Sequence, residues 1–307
     1  MQRSFLDYLV ISLKGMAMGA ADIVPGVSGG TIAFISGIYE ELITSINNVN
    51  LSLFKTLKNE GFKAAWHQLN GNFLLALLLG IAISVVSLAK GIGWLLENQP
   101  VLLWSFFFGL VLASIYFVGK QIQKWNVAII IAAILSAALA YYITSLPPLS
   151  TEASPWFLLL AGALAICAMI LPGISGSFIL VLLGAYRTIL EAVDNKDLKT
   201  IAIVGVGAIV GLLTFSRVLK WLFSNHKNLI LAILTGFIFG SLNKIWPWKK
   251  VLESITIKDK VITLKEISVL PFNYDGDPKL LFSIILMIVG FATIIILEKV
   301  ATTPNEN

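Results

Sequence analysis

Long apolar runs separated by short polar connections organise this chain. Phe73 to Leu96, Val101 to Gly119, Val127 to Thr144 and Leu280 to Leu297 reach or approach the roughly 20 residues that a helix needs to cross about 30 Å of hydrocarbon. These runs predict spanning helices. Two further apolar stretches, Phe5 to Ile46 and Trp156 to Val193, are each interrupted by a Pro-Gly turn, so each predicts a broken helix hairpin whose arms cross fully or are re-entrant. The composition agrees: 57% of the 307 residues are hydrophobic and 13% charged, where soluble domains carry about a quarter charged. The expected fold is an all-α polytopic membrane protein. No short apolar run ending at a small-residue cleavage site opens the chain, so the first helix is expected to stay in the protein.

The pattern repeats. Gly15, Ala21, Pro25, Gly26, Ser28, Gly29, Gly37 and Tyr39 recur as Gly162, Ala168, Pro172, Gly173, Ser175, Gly176, Gly184 and Tyr186, all at the offset of 147 that separates Pro25 from Pro172, while Gly30 faces Ser177. Farther on, Lys90, Trp94, Asn98, Gly109 and Ser114 recur as Arg217, Trp221, Asn225, Gly236 and Ser241 at an offset of 127. The change in offset marks an insertion in the first half, at about 47–72, with Lys55, Lys58 and Lys63 and an amphipathic look that predicts a surface helix. Repeat one covers about 1–145 and repeat two about 156–299 within a single transporter domain. The polar connection at about 246–279, with its two proline turns, reads as a solvated loop in which Trp248 lies far out. Each half holds one broken hairpin that returns to its own side and three spans. An odd net number of crossings then inverts the second half relative to the first, as in many secondary transporters.

Lys and Arg in short loops prefer the cytoplasm. Arg3, the insertion, Lys120 and Lys124 fall on one side, whereas Glu97 to Pro100 and Leu146 to Pro155 contain no Lys or Arg. Both termini are therefore expected in the cytoplasm. The net charge of +5 follows from these loops and calls for no nucleic acid. One cysteine, Cys167, excludes an internal disulfide and a thiolate metal cluster. The two histidines, His67 and His226, fall in predicted loops, and no Ser-His-Asp set or nucleotide loop appears, so an enzyme is not expected. No cofactor is implied beyond a coupling proton or sodium ion, and the pattern sets no oligomeric state.

The two turns carry the candidate chemistry. New helices are expected to start at Ser28-Gly29-Gly30-Thr31 and at Ser175-Gly176-Ser177, preceded by Pro25-Gly26 and Pro172-Gly173, with unpaired N–H groups and hydroxyls that form an anion site. A helix amino end contributes about 0.3–1 kcal/mol to an anion, up to roughly 2 when partly buried. Two such ends do not offset a phosphate at the midplane, since one charged side chain there costs about 2.5–3.5 kcal/mol on insertion scales. Fixed cations or water must contribute, and the candidate cations are Arg187, Lys90 and Arg217, with Lys14 and Lys220 behind them. Lys90 and Arg217 read equally as snorkelling anchors. Asp22, an acid in an apolar arm, is a candidate to bind a coupling proton or cation together with Glu40. It reads alternatively as a cap for the broken helix or the partner of a Lys. The two copies differ here, because Asp22 faces Met169 and Glu40 faces Arg187.

The run Met18 to Thr31 followed by Gly37-Ile38-Tyr39-Glu40, and Leu171 to Ser177 followed by Gly184-Ala185-Tyr186, resembles the signatures of the PopT-type polyprenyl-phosphate translocase family, formerly domain of unknown function 368, over essentially the whole chain. The resemblance implies a flippase that returns undecaprenyl phosphate from the outer to the inner leaflet for cell-envelope synthesis, and assigns roles to Asp22 to Thr31, Glu40, Pro172 to Ser177 and Arg187. A prenyl tail, at about 0.8 kcal/mol per buried CH₂, stays in lipid, so only the phosphate needs a polar path. A transporter or channel for a small soluble anion would use the same turns and is the alternative.

Overall fold

The computed structural model describes residues 3–23, 28–146, 154–173, 175–257 and 260–302. Pro25 and Gly26 lie outside the described residues, as do positions 147–153 of the connection between the halves. The first half holds α1 (Phe5–Ile23), α2 (Gly29–Ile35), α3 (Tyr39–Asn47), α4 (Leu51–Glu60), α5 (Phe62–Leu69), α6 (Gly71–Asn98), α7 (Pro100–Lys120) and α8 (Val127–Ser145). The second holds α9 (Pro155–Ile170), α10 (Gly176–Leu182), α11 (Tyr186–Asp194), α12 (Leu198–Asn225), α13 (Lys227–Ser241), β1 (Lys249–Ile257), β2 (Lys260–Ser268) and α14 (Leu280–Thr302). Counterparts match in length: α2 and α10 have 7 residues each, α3 and α11 have 9, and α6 and α12 have 28.

Five helices among the described residues are long and apolar enough to cross a membrane: Gly71–Leu88, Pro100–Lys120, Val127–Ser145, Leu198–Asn225 and Lys227–Ile245. Their outer faces carry rows of exposed apolar side chains such as Ile134, Leu135, Ile209 and Val210, a surface that only lipid or a partner can cover. Short polar residues start the helices. Asn126 accepts the Ile129 N–H before α8, Ser154 accepts the Phe157 N–H before α9, and Pro100 and Pro155 occupy first turns where a missing N–H costs nothing.

The packing is crosswise. α1 lies along α6 and α9 along α12, but α7 packs on α14 and α8 on α13, so each half's later spans pair with the other half's. The equivalent residues Gly109 and Gly236 sit at these two contacts. A Cβ on Gly109 would collide with the Met287 carbonyl oxygen of α14, and one on Gly236 with the Ala133 carbonyl oxygen of α8. Small residues let membrane helices approach this closely and gain dispersion contacts.

Polar contacts sort the connections to two ends of the bundle. At one end Arg3 makes a two-pronged ion pair with Glu41, Lys227 pairs with Glu40 at 2.7 Å, and the Gln123 N–H donates to Asn228. At the other end Lys279 Nζ donates to Gln99, and the Trp248 indole donates to the Pro278 carbonyl. Gln99 and Gln123 flank α7, and Lys227 and Trp248 flank α13, so α7 and its counterpart α13 run in opposite directions.

Two expectations are corrected. The insertion is a pair of helices rather than one, because Gly61 adopts φ 85° between α4 and α5. The connection at 246–279 is no plain solvated loop. It forms an antiparallel hairpin in which Lys249 pairs with Ser268 and Ile257 with Lys260, and Trp248 is 3% exposed instead of lying far out. Runs of β-branched residues, Ile255-Thr256-Ile257 and Val261-Ile262-Thr263, favour strands, and burial of the Trp248 ring with packing of Trp246 on Phe108 holds the hairpin on the bundle.

Candidate functional site

The broken helices break where the turns stand. α1 ends at Ile23, and α2 starts after Ser28, whose Oγ accepts the Gly30 N–H at 3.1 Å. α9 ends at Ile170, and α10 starts after Ser175, whose Oγ accepts the Phe178 N–H at 3.2 Å. Gly173 takes φ 91°, a left-handed conformation that glycine adopts without steric cost.

The first hairpin reaches directly into the second turn. Ser28 Oγ lies 3.2 Å from the Met169 carbonyl oxygen and 3.1 Å from that of Leu171. Tyr39 Oη donates to the Ile170 carbonyl at 3.1 Å, and the Gly173 N–H donates to Thr31 Oγ1 at 2.9 Å. Carbonyls freed at the end of α9 thus receive hydroxyl donors from α2 and α3, as backbone inside a membrane requires. The rings of Phe34, Tyr39 and Phe223 cluster with centroids 5.2–6.3 Å apart and hold α2 and α3 against α12.

α1 supplies charges to both ends of α2. The Asp22 carboxylate accepts the Gly29 N–H at 2.7 Å at the amino end, and Lys14 Nζ donates to the Ser36 carbonyl at 2.7 Å at the carboxyl end. An acid at the amino end and a base at the carboxyl end complement the helix dipole, each by about 0.3–1 kcal/mol. The eight steps from Lys14 to Asp22 rise about 12 Å, close to the length of the seven-residue α2. A Cβ on Gly29 would collide with the Asp22 carboxylate. At the corresponding positions of the second half stand Ala161 and Met169, so neither charge has a counterpart at its equivalent position.

The remaining candidates separate. Glu40 pairs with Lys227 at an exposed end and does not join Asp22. Arg217 is exposed on α12. Arg187 is the second residue of α11 and Lys90 lies in α6, and both side chains lie outside the described residues. Gly176 and Ser177 form the first turn of α10, with Gly176 buried against α9, and Ser177 Oγ lies 3.3 Å from Ser175 Oγ. Pro172, between Leu171 and Gly173, is buried.

A group absent from the sequence reading stands at the hairpin end. Lys244 Nζ and Lys249 Nζ both contact Glu266 Oε1, at 2.8 and 2.6 Å. The Lys244 ammonium also lies 5.0 Å from the Phe178 ring of α10, and the Lys249 ammonium 5.6 Å from the Trp104 ring of α7. Burial, partly opposed by Glu266, lowers Lys249 from the ordinary lysine range to about 8. Burial raises Glu266, but the two ammoniums outweigh it and hold it below the usual carboxylate range. Glu266 sits in β2, within the polar connection at 246–279. The signal available in sequence was the Trp246-x-Trp248 pair directly before Lys249.

Apolar spans built around two broken hairpins that meet near the bundle centre define a multi-pass membrane protein with the discontinuous helices typical of transporters. The chain belongs to the VCA0040-like, undecaprenyl phosphate translocase-like family, whose profile matches residues 18–262. It is 44% identical over 301 residues to a polyprenyl-phosphate transporter of Vibrio cholerae, covering 96% of this chain and 98% of the relative. It is 30% identical over 254 residues to a polyprenyl-phosphate transporter of Staphylococcus aureus, covering 76% of this chain and 85% of that relative. No solved structure matches it.

Proposed function

We propose that this protein carries undecaprenyl phosphate from the outer to the inner leaflet, with the phosphate held at the junction of the two turns. The observation that carries the reading is the asymmetry of the junction. The amino end of α2 already holds the Asp22 carboxylate, whereas the equivalent position before α10 is Met169. The phosphate then lies on the α10 side, at Ser175, Gly176 and Ser177, with Arg187 of α11 as its cation. Lys90 on α6 and Arg217 on α12 act in this reading as snorkelling anchors. The opposite directions of α7 and α13 support an inverted repeat, and together with the loop charges they favour a reading in which both termini are cytoplasmic in the bacterial inner membrane.

The same asymmetry supplies a coupling scheme. A carboxylate and a phosphate repel each other at neighbouring helix ends, so a proton or sodium ion on Asp22 removes a charge that opposes the cargo. Movement of the cation and the lipid phosphate is thereby linked through one residue. The coupling is written for a lipid because the relatives carry polyprenyl-phosphate in their names. For a small soluble anion the same turns would need a pocket closed to the bilayer.

The test compares binding of a prenyl phosphate with that of its neutral alcohol to purified wild type and Arg187→Gln. The phosphate should bind wild type far more tightly, and the variant should lose about 10-fold to 100-fold, the range of one charge-assisted hydrogen bond. Equal binding of phosphate and alcohol to wild type would show that no phosphate site exists.

A further inference from the structure

Two lysines share one carboxylate at the far end of the bundle, leaving an excess positive charge among groups only partly open to water. The side chains of Lys244, Lys249 and Glu266 are 24%, 12% and 23% exposed. Lys249 Nζ also donates to the Lys244 carbonyl, so the two cations are tied into one unit. A solvated ion pair needs no such construction. The hairpin that brings Glu266 is fastened by the Trp246 indole on the Val269 carbonyl and the Trp248 indole on the Pro278 carbonyl, each about 2.8–2.9 Å. Trp246 packs edge-on to Phe108 of α7 and lies beside Trp248.

Next to this unit the bundle surface is concave and apolar. A groove of about 390 Å³ runs between α8 and α13, lined by Ala137, Tyr141, Phe239, Gly240, Leu242 and Asn243. Its last lining residue adjoins Lys244 in the chain. In the other direction the Lys244 ammonium stacks on Phe178, whose own N–H is capped by Ser175 at the second turn. The lysine unit is thus linked to the groove through Asn243, which accepts from the Ser268 hydroxyl opposite Lys249 in the hairpin, and to the second turn through Phe178.

We infer that Lys244 and Lys249 form an entry site for a prenyl phosphate, with the phosphate replacing Glu266 on the two ammoniums and the first part of the tail lying in the α8–α13 groove. Glu266 holds the place of the anion while the site is empty. Charge complementarity selects the occupant's head, because a phosphate offers several acceptor oxygens to two ammoniums where Glu266 shares one oxygen between them. The groove selects its tail, because it opens sideways between helices with lipid-facing residues such as Tyr141 and Phe239. This inference rests on the cargo reading above and adds a station before the turns.

Photo-crosslinking tests it on the purified full-length protein, using a prenyl phosphate with a diazirine on its first isoprene units and peptide mapping of the adducts. Wild type should give adducts at residues 137–141 and 239–242, competed by unlabelled prenyl phosphate but not by the same concentration of prenyl alcohol or inorganic phosphate. Lys244→Gln and Lys249→Gln should each reduce these adducts about 10-fold or more, in protein that melts as wild type does. Glu266→Gln should leave them intact or increase them, because it removes the competitor. A merely structural cluster would lose labelling in Glu266→Gln as in the lysine variants, and that result overturns the inference even if a lysine variant fails to fold. Unchanged adducts in folded lysine variants, or equal competition by the alcohol, also overturn it. Equal competition by inorganic phosphate assigns the lysines to a soluble anion and overturns the lipid site. Adducts confined to residues around the turns sink this inference alone, whereas no saturable adduct anywhere sinks the cargo reading with it.

Discussion

The carboxylate of Asp22 accepts the Gly29 N–H at 2.7 Å, so the first broken helix begins against an anion supplied by its own preceding arm. The carboxylate leaves no room for a side chain at position 29. A helix end occupied in this way competes with an incoming phosphate and does not simply receive it. That competition turns a structural cap into a candidate switch.

Asp22→Asn tests the switch. The amide oxygen can still accept from Gly29, so the fold should hold, but the variant carries no charge for a coupling ion to cancel. In proteoliposomes with an imposed proton or sodium gradient, gradient-driven movement of prenyl phosphate should be abolished while binding persists. Wild-type accumulation by this variant would eliminate Asp22 as the coupling group.

Lys249 gives a pH dependence with a definite sign. The charged groups described around it are Glu266 on β2 and Lys244 beside the end of α13, and α7 presents the Trp104 ring. Its ammonium is intact below about 8 and lost above. Capture of a prenyl phosphate at the entry site should therefore be strong near pH 7 and fall about 10-fold towards pH 9, since each unit above a pKa removes about nine-tenths of the charged form. Lys249→Arg, which stays charged, should flatten the profile. A wild-type profile that rises from pH 7 to 9 would refute the assignment.

The crosswise packing predicts which glycines tolerate a methyl group. Gly109→Ala and Gly236→Ala should each cost about 1–3 kcal/mol, because a Cβ meets a carbonyl oxygen of the opposite half. Gly91→Ala, with nothing within 4 Å of its Cβ, should be neutral or stabilising by up to about 1 kcal/mol. Thermal melts in detergent distinguish them, and equal melting of all three variants would contradict the close approach.

Burial of Trp248 makes it a structural residue. Trp248→Ala should lose about 3–5 kcal/mol of local packing, and Trp248→Phe about 1–3 for abandoning the Pro278 carbonyl. Limited proteolysis of the hairpin reads this loss directly. Wild-type protease resistance in Trp248→Ala would mean that the ring does not hold the hairpin.

The orientation is open to labelling on a Cys167→Ser background. Ser150→Cys should react with an impermeant thiol reagent in intact cells and Glu60→Cys should not. The reverse pattern would invert the assignment of sides and remove the outer-leaflet location of the lysine site.

The spanning helices, the breaks after Ile23 and Ile170, and the caps at Ser28 and Ser175 were all legible in the chain. Each depends on local chemistry: apolar length, a proline that removes an N–H, a hydroxyl that accepts a free N–H of the next helix. The candidate site was legible in its residue types but not in their partners. Asp22 stood out as an acid in an apolar arm, yet only the folded hairpin brings it to Gly29, seven residues on. For Lys244, Lys249 and Glu266 the one local signal was the Trp246-x-Trp248 pair before Lys249, and their partnership was not legible, because Glu266 lies 17 residues beyond Lys249 and meets it only across paired strands.

By itself the sequence determined the membrane class, the internal duplication and the two breaks, since a bilayer imposes length and backbone hydrogen bonding on each segment separately. The tertiary structure decided that α7 pairs with α14 and α8 with α13, that Ser28, Thr31 and Tyr39 bind the end of α9, and that two lysines share Glu266 beside α10. These contacts join residues from about 17 to more than 170 positions apart. Helix surfaces of similar apolar character offer many pairings, and packing of small residues and hydrogen bonding of freed carbonyls select one among them.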